Sequence, residues 1–152
     1  MTRIDSDAEF KAALAQLAVP QQRAVGRLFV ANVLHLTDDP RISRALGGDV
    51  SELSQDEVSA GFRSAKTAAI ESYTLCGHEG DWLKQAGHFV AAAAAACLTP
   101  DDQAAQCRDL AWSTAMNARM AKVCESVAQG KGTDESETKK QYAILESYLG
   151  TG

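Results

Sequence analysis

Apolar residues recur at three- and four-residue intervals along most of the chain, and no stretch of useful length alternates in the two-residue rhythm of a strand. The pattern is densest between Trp82 and Ala128. There Gly87-His88-Phe89-Val90 runs into six alanines, Ala91 to Ala96, followed by Cys97 and Leu98. Alanine has the highest helix propensity because it loses no side-chain entropy, and a surface of methyl groups lets a neighbouring helix come close. Trp82, Leu83, Ala86, Phe89, Val90, Ala93 and Cys97 keep the i, i+3, i+4 spacing of a buried face. Asp81, Lys84, Gln85 and His88 leave the apolar run too short for a membrane span. Thr99-Pro100-Asp101-Asp102 then predicts a new helix, with Thr99 as N-cap, Pro100 at the first helical position and two aspartates at the positive end of the dipole. On it Cys107, Leu110, Ala111, Thr114, Ala118, Ala121 and Cys124 form one stripe, and Trp112, Met116, Met120, Val123 and Val127 a second. The polar band is narrow: Arg108, Arg119, Lys122, Ser126 and Gln129. A helix covered on most of its circumference belongs inside a bundle.

The remaining helices are announced by their caps. Ser6-Asp7-Ala8-Glu9 is a capping box, followed by Phe10, Leu14 and Leu17 at helical spacing. Pro20 opens a second helix carrying Val25, Leu28, Phe29, Val33 and Leu36, with Asn32 inside that stripe, where a buried amide requires a partner. His35 flanks the stripe and reads as a partly buried structural histidine. Pro40 pushes Asp39 out of helical geometry, so Asp38 or Asp39 caps a short helix from Arg41 to Leu46, ended by Gly47-Gly48. Ser54-Gln55-Asp56-Glu57 is a second capping box, before a long helix with Val58, Phe62, Ala65, Ala69, Tyr73 and Cys76 on one face. After Gly130-Lys131-Gly132, Thr133 or Asp134 caps a last helix whose seam is Tyr142, Leu145, Tyr148 and Leu149, with Asp134, Glu135, Glu137, Lys139 and Lys140 in water. The expectation is an all-α single domain over residues 1–152, a bundle of five substantial helices and a short sixth around the Ala-rich pair.

A chain of 152 residues is long enough to bury about 70% of its unfolded surface without staples. Asp5, Asp7 and Glu9 fall where a signal peptide needs a basic region and an apolar core, so the expected location is cytoplasmic, with no membrane segment. Cysteines 76, 97, 107 and 124 form no C-x-x-C pair and lie on or beside apolar faces, which reads as buried reduced thiols. A formal net charge of −5 disfavours sequence-independent nucleic-acid binding and suits a basic partner, while also serving solubility. Self-association is left open.

Chemistry is sparse. His35, His78 and His88 form no H-E-x-x-H, and no E-x-x-H pairs, phosphate loop or G-x-S-x-G is present. His78-Glu79 with Asp81 could donate metal ligands, although polar residues at helix boundaries serve equally as caps. Trp82, Trp112, Met116 and Met120 could line a ligand pocket, or be core. No catalytic residue, metal or cofactor is therefore assigned. Two mixed or acidic clusters stand out: Asp38, Asp39, Arg41 and Arg44, and then Asp49, Glu52, Asp56 and Glu57. Each reads either as solvated capping charge or as a recognition surface.

Four features together resemble the all-helical immunity proteins found beside bacterial polymorphic toxins. One is Val33-Leu34-His35-Leu36 leading into Asp38-Asp39-Pro40-Arg41-Ile42-Ser43-Arg44-Ala45; the others are the capped helix from Ser54, the Ala-rich pair containing His88 and Ala111-Trp112, and Lys140-Gln141-Tyr142 through Leu145. The similarity spans about residues 24 to 149. It departs from the family pattern in that the proline precedes Arg41 instead of lying between two arginines, no tryptophan closes the following helix, and the alanine run is displaced from its histidine. The resemblance implies a protein that binds a cognate, basic toxin domain without turnover, through Asp38, Asp39, Arg41, Arg44, Asp49, Glu52, Asp56 and Glu57. The alternatives are a small-molecule- or metal-binding helical protein using Trp82, His78, His88 and the sulfur-bearing residues, and an enzyme with a dispersed site.

Overall fold

A computed structural model of the chain describes residues 3–47, 53–76, 81–104, 109–131 and 136–151, excepting the side chains of 73–76, 104 and 151. Among the described residues there are eight α-helices, one 3-10 turn and no strand: α1 (Asp7–Ala15), α2 (Val19–Ala31), the 3-10 turn Leu34–Leu36, α3 (Pro40–Ala45), α4 (Gln55–Cys76), α5 (Trp82–Cys97), α6 (Asp101–Ala104), α7 (Leu110–Ala128) and α8 (Ser136–Thr151). The fold is all-α, as the periodicity predicts. None of the described helices is long and apolar enough to cross a membrane.

The Ala-rich pair α5 and α7 makes the most extensive helix–helix contact. Small side chains permit it. Ala86, Val90, Ala93, Ala94 and Cys97 of α5 are buried, and so are Leu110, Ala111, Thr114, Ala118, Ala121 and Cys124 of α7, the stripe that the spacing marked apart from Cys107, which lies outside the described residues. Gly26 of α2 fits the same junction, because a Cβ there would stand 3.2 Å from the Cys97 sulfur and 3.5 Å from Thr114. Around this pair lie two apolar clusters. One joins the end of α2 to α3, α4, α5 and α7 through Val33, Ile42, Leu46, Ala65 and Leu98. The other joins α1, α2, α7 and α8 through Phe10, Leu14, Phe29, Ala115 and Leu145, with Phe10 tilted against Phe29 and Tyr142.

The capping box at Ser54 forms, the Ser54 and Glu57 side chains each accepting the other's backbone N–H at 3.1 Å. At Ser6 one half forms: Glu9 N–H donates to Ser6 Oγ at 3.2 Å, while the Glu9 carboxylate accepts the Asp5 N–H and the Ser6 hydroxyl. The Thr99 cap does not form. Its hydroxyl donates to the carbonyls of Ala96 (2.8 Å) and Ala95, closing α5, while Arg23 of α2 binds the Thr99 carbonyl and the Asp101 carboxylate. The expected single helix from Thr99 is instead α6, ending at Ala104, and α7, beginning at Leu110. The start of α7 is held from α2, whose Gln22 Oε1 accepts the Ala111 N–H at 3.1 Å. Likewise α2 stops at Ala31, and the 3-10 turn carries Leu34 and Leu36. Four residues placed on apolar faces are exposed: Leu28, Trp82, Leu83 and Met120. Neighbouring helices cover the α5 face only from Ala86 onward, a boundary that periodicity does not encode.

Candidate functional site

The mixed-sign cluster after α2 is assembled by local rules. Pro40 holds Asp39 in extended geometry (φ −76°, ψ 113°), and the Asp39 carboxylate then caps α3 by accepting the Arg41 N–H at 3.0 Å. The Arg41 guanidinium folds back on the same carboxylate, with one nitrogen 2.6 Å from Asp39 Oδ2 and 2.7 Å from Glu71 Oε2 on α4. One arginine thus bridges α3 to α4. Hydrogen bonds from Arg41 hold both carboxyls below their ordinary values, and the two anions in turn keep Arg41 firmly charged. Glu71 belongs to this network although its sequence position marks it only as an exposed helical residue; its signal becomes visible once α3 is known to pack on α4.

On one side of this bridge a cleft of about 580 Å³ opens between the 3-10 turn, α4 and α5. Asp38, Asp39 and Asp81 line it, with Lys84 as its cation, and His35 and Leu83 also belong to its lining. Asp81 caps α5 through the Lys84 N–H, and its carboxylate stands 3.9 Å from the Lys84 ammonium. His35 is turned outward, its side chain 59% exposed and its Nε2 3.5 Å from Glu125 of α7, so it is not the partly buried histidine that its position suggested. On the other side a smaller cleft of about 400 Å³ lies between α3 and α4, with Arg41 and Arg44 facing Glu57. Glu57 is spent on its cap, and the Ser54 backbone N–H chiefly holds its carboxyl below the ordinary value. Asp56 is exposed beside it, whereas Asp49 and Glu52 lie outside the described residues.

Large apolar side chains stand near these charges. Ile70 is 61% exposed, Leu83 58% and Trp82 42%; the first is next to Glu71 on α4 and the others follow Asp81 at the start of α5. An exposed apolar residue ringed by charge is the arrangement of an interface anchor and its rim.

The alternative ligand site divides. His88 lines an apolar groove of about 420 Å³ between α4 and α5, with Phe62, Ile70 and Ala92. Its Nδ1 lies 2.8 Å from the Ala69 carbonyl, an acceptor only, so Nδ1 carries the proton and the ring ties α5 to α4. Trp82 is at the surface, His78 and Glu79 lie outside the described residues, and Trp112 packs on Phe10 at 6.1 Å. Among the described residues no three His, Cys, Asp or Glu side chains are grouped to hold a metal ion. Cys97 and Cys124 are buried; burial pushes the Cys97 thiol up to about 12, and its sulfur donates to the Arg23 carbonyl at 3.3 Å. The Cys76 side chain and Cys107 lie outside the described residues.

The clearest departures from the sequence reading are polar. Glu137, expected in water, is 2% exposed, and Gln141 one turn later is fully buried. Asn32 finds the partner that its place in an apolar stripe demanded, donating to both Glu137 oxygens at 2.7 and 2.9 Å. No family model, curated protein or solved structure matches the chain.

Proposed function

We propose that this chain is a non-catalytic, immunity-like interaction protein that neutralises a cognate basic protein, such as a toxin domain, by holding it in a cytoplasmic complex. The observation that carries this reading is the cleft beside the Asp39–Arg41–Glu71 bridge, whose lining includes three carboxylates and an exposed leucine. Three carboxylates against Lys84 leave the cleft with an excess of negative charge that steers a basic partner, and a desolvated apolar anchor supplies most of the binding energy. Asp38, Asp39, Arg41 and Leu83 form the contact surface in this reading, with Arg44, Asp56 and Glu57 at its α3–α4 side. Asp49 and Glu52 extend it through the sequence alone.

The test is a pull-down of the purified chain against the product of the adjacent gene. Retention of a toxin domain, lost in Leu83→Glu, supports the proposal; no binding to any neighbour-encoded toxin contradicts it. The groove at His88 favours one other reading, a binder of a small apolar molecule. Native mass spectrometry of the purified protein separates the two, since a bound small molecule adds its mass to the chain.

A further inference from the structure

We propose that Glu137 is a pH-responsive latch on the C-terminal helix: α8 is held to α2 most tightly while this carboxyl is protonated, and its hold loosens as the carboxyl ionises. The geometry is that of a buried acid without a counter-ion. Glu137 is in the first turn of α8 and almost wholly out of water, and its hydrogen-bond partner is the neutral amide of Asn32 on α2. An amide offers dipoles but no charge, so ionisation leaves a carboxylate in a poorly solvated place.

Both cations of α7 are committed elsewhere. On α7, Lys122 is 2.6 Å from Glu125, which also takes His35 from the 3-10 turn. Arg119 of α7 binds Asp7 of α1 and the Gln141 side chain of α8. Lys140, one turn along α8, is exposed. These charges and the N-terminal end of the α8 dipole favour the ionised form, yet burial outweighs the hydrogen bond and the cations, raising the carboxyl above its ordinary 4.5.

The sign follows from linkage. A carboxyl raised in the folded state stabilises that state fully below its unfolded value, near 4.5, and the contribution is lost as pH rises through the folded value. The fold gives this loss somewhere to act. Beside the latch a groove of about 630 Å³ runs along the surface between α2 and α8, lined by Leu28, Ile144 and Tyr148. The chain leaving α7 turns at Gly130 with φ +71°, a conformation that glycine adopts freely. Among the other ties of α8 are the neutral Gln141 amide, the Tyr142 hydroxyl on an Asp7 carboxyl that Arg119 holds below its ordinary value, and the Glu146 carboxylate, which accepts the Ile4 N–H at 3.0 Å near the far end of the helix.

Hydrogen exchange read by mass spectrometry from pH 5 to 8, corrected for base-catalysed intrinsic exchange, tests this. Protection of α8 should fall with pH, by up to about tenfold per unit for a single proton, while that of α5 stays level. Glu137→Gln and Glu137→Met should each flatten the α8 profile, and His35→Gln should leave it as in the wild type. A flat wild-type profile overturns the proposal whether or not either Glu137 variant folds, and so does an α8 slope that persists in Glu137→Gln.

Discussion

The side-chain oxygen of Gln22 accepts the backbone N–H of Ala111, so a residue on the first turn of α2 satisfies the free end of α7 from across the core. The same amide donates to the Leu17 carbonyl at 3.1 Å. Truncating this nearly buried side chain orphans both groups, and an unsatisfied buried N–H costs about 1–3 kcal/mol. Gln22→Ala should lower stability by about that amount in urea denaturation at unchanged m-value.

Gly26 sets how closely α2 approaches α5 and α7. Gly26→Val puts branched carbons where even a Cβ is 3.2 Å from the Cys97 sulfur, and overpacking of this kind costs about 1–3 kcal/mol. Gly150→Ala meets open space and should not lower stability. The pair of melting curves separates a packing requirement from mere loss of glycine.

Cys97 should be inert in the native protein. Its thiol is wholly buried, pushed up to about 12 and bonded to the Arg23 carbonyl, so thiolate is scarce at neutral pH. Peptide mapping after alkylation at pH 8 should find Cys97 unmodified until denaturant is added, and rapid native labelling would show that α2 and α5 part readily.

These residues mark how much the sequence disclosed. Periodicity located the apolar stripe of α7 because a helix interior is filled by side chains at 3.6-residue spacing. The caps at Ser6 and Ser54 were legible because their partners lie three residues away. What stayed hidden depends on contacts distant in sequence. Thr99 looks like an N-cap until Arg23, 76 positions earlier, draws its carbonyl toward α2. Glu137 looks solvated until Asn32, 105 positions earlier, is opposite it. The candidate site was half legible: Asp39 and Arg41 declare themselves through Pro40, whereas Glu71 and the exposed Leu83 enter only through the packing of α3 and α5 on α4.

Arg41 should control how its two carboxylates titrate. In Arg41→Gln the hydrogen bonds that depress them weaken, so the Asp39 midpoint should rise toward its ordinary 3.8 and Glu71 toward 4.5, followed by carboxyl-carbon NMR. Both depressed groups stabilise the fold above those values and lose that contribution as pH falls through their folded values. Acid unfolding should therefore begin at slightly higher pH in the variant, and unchanged midpoints would mean that the bridge does not persist in solution.

In the proposed function, recognition takes place at the cleft between the 3-10 turn, α4 and α5. Calorimetric titration of the chain with the product of the adjacent gene, at low and high salt, measures this directly. The expected result is a saturable one-to-one complex that weakens with salt and loses roughly tenfold or more in affinity, about 1.4 kcal/mol, in Leu83→Glu and in Asp38→Lys. Absence of binding, or an affinity that neither substitution alters, would contradict it.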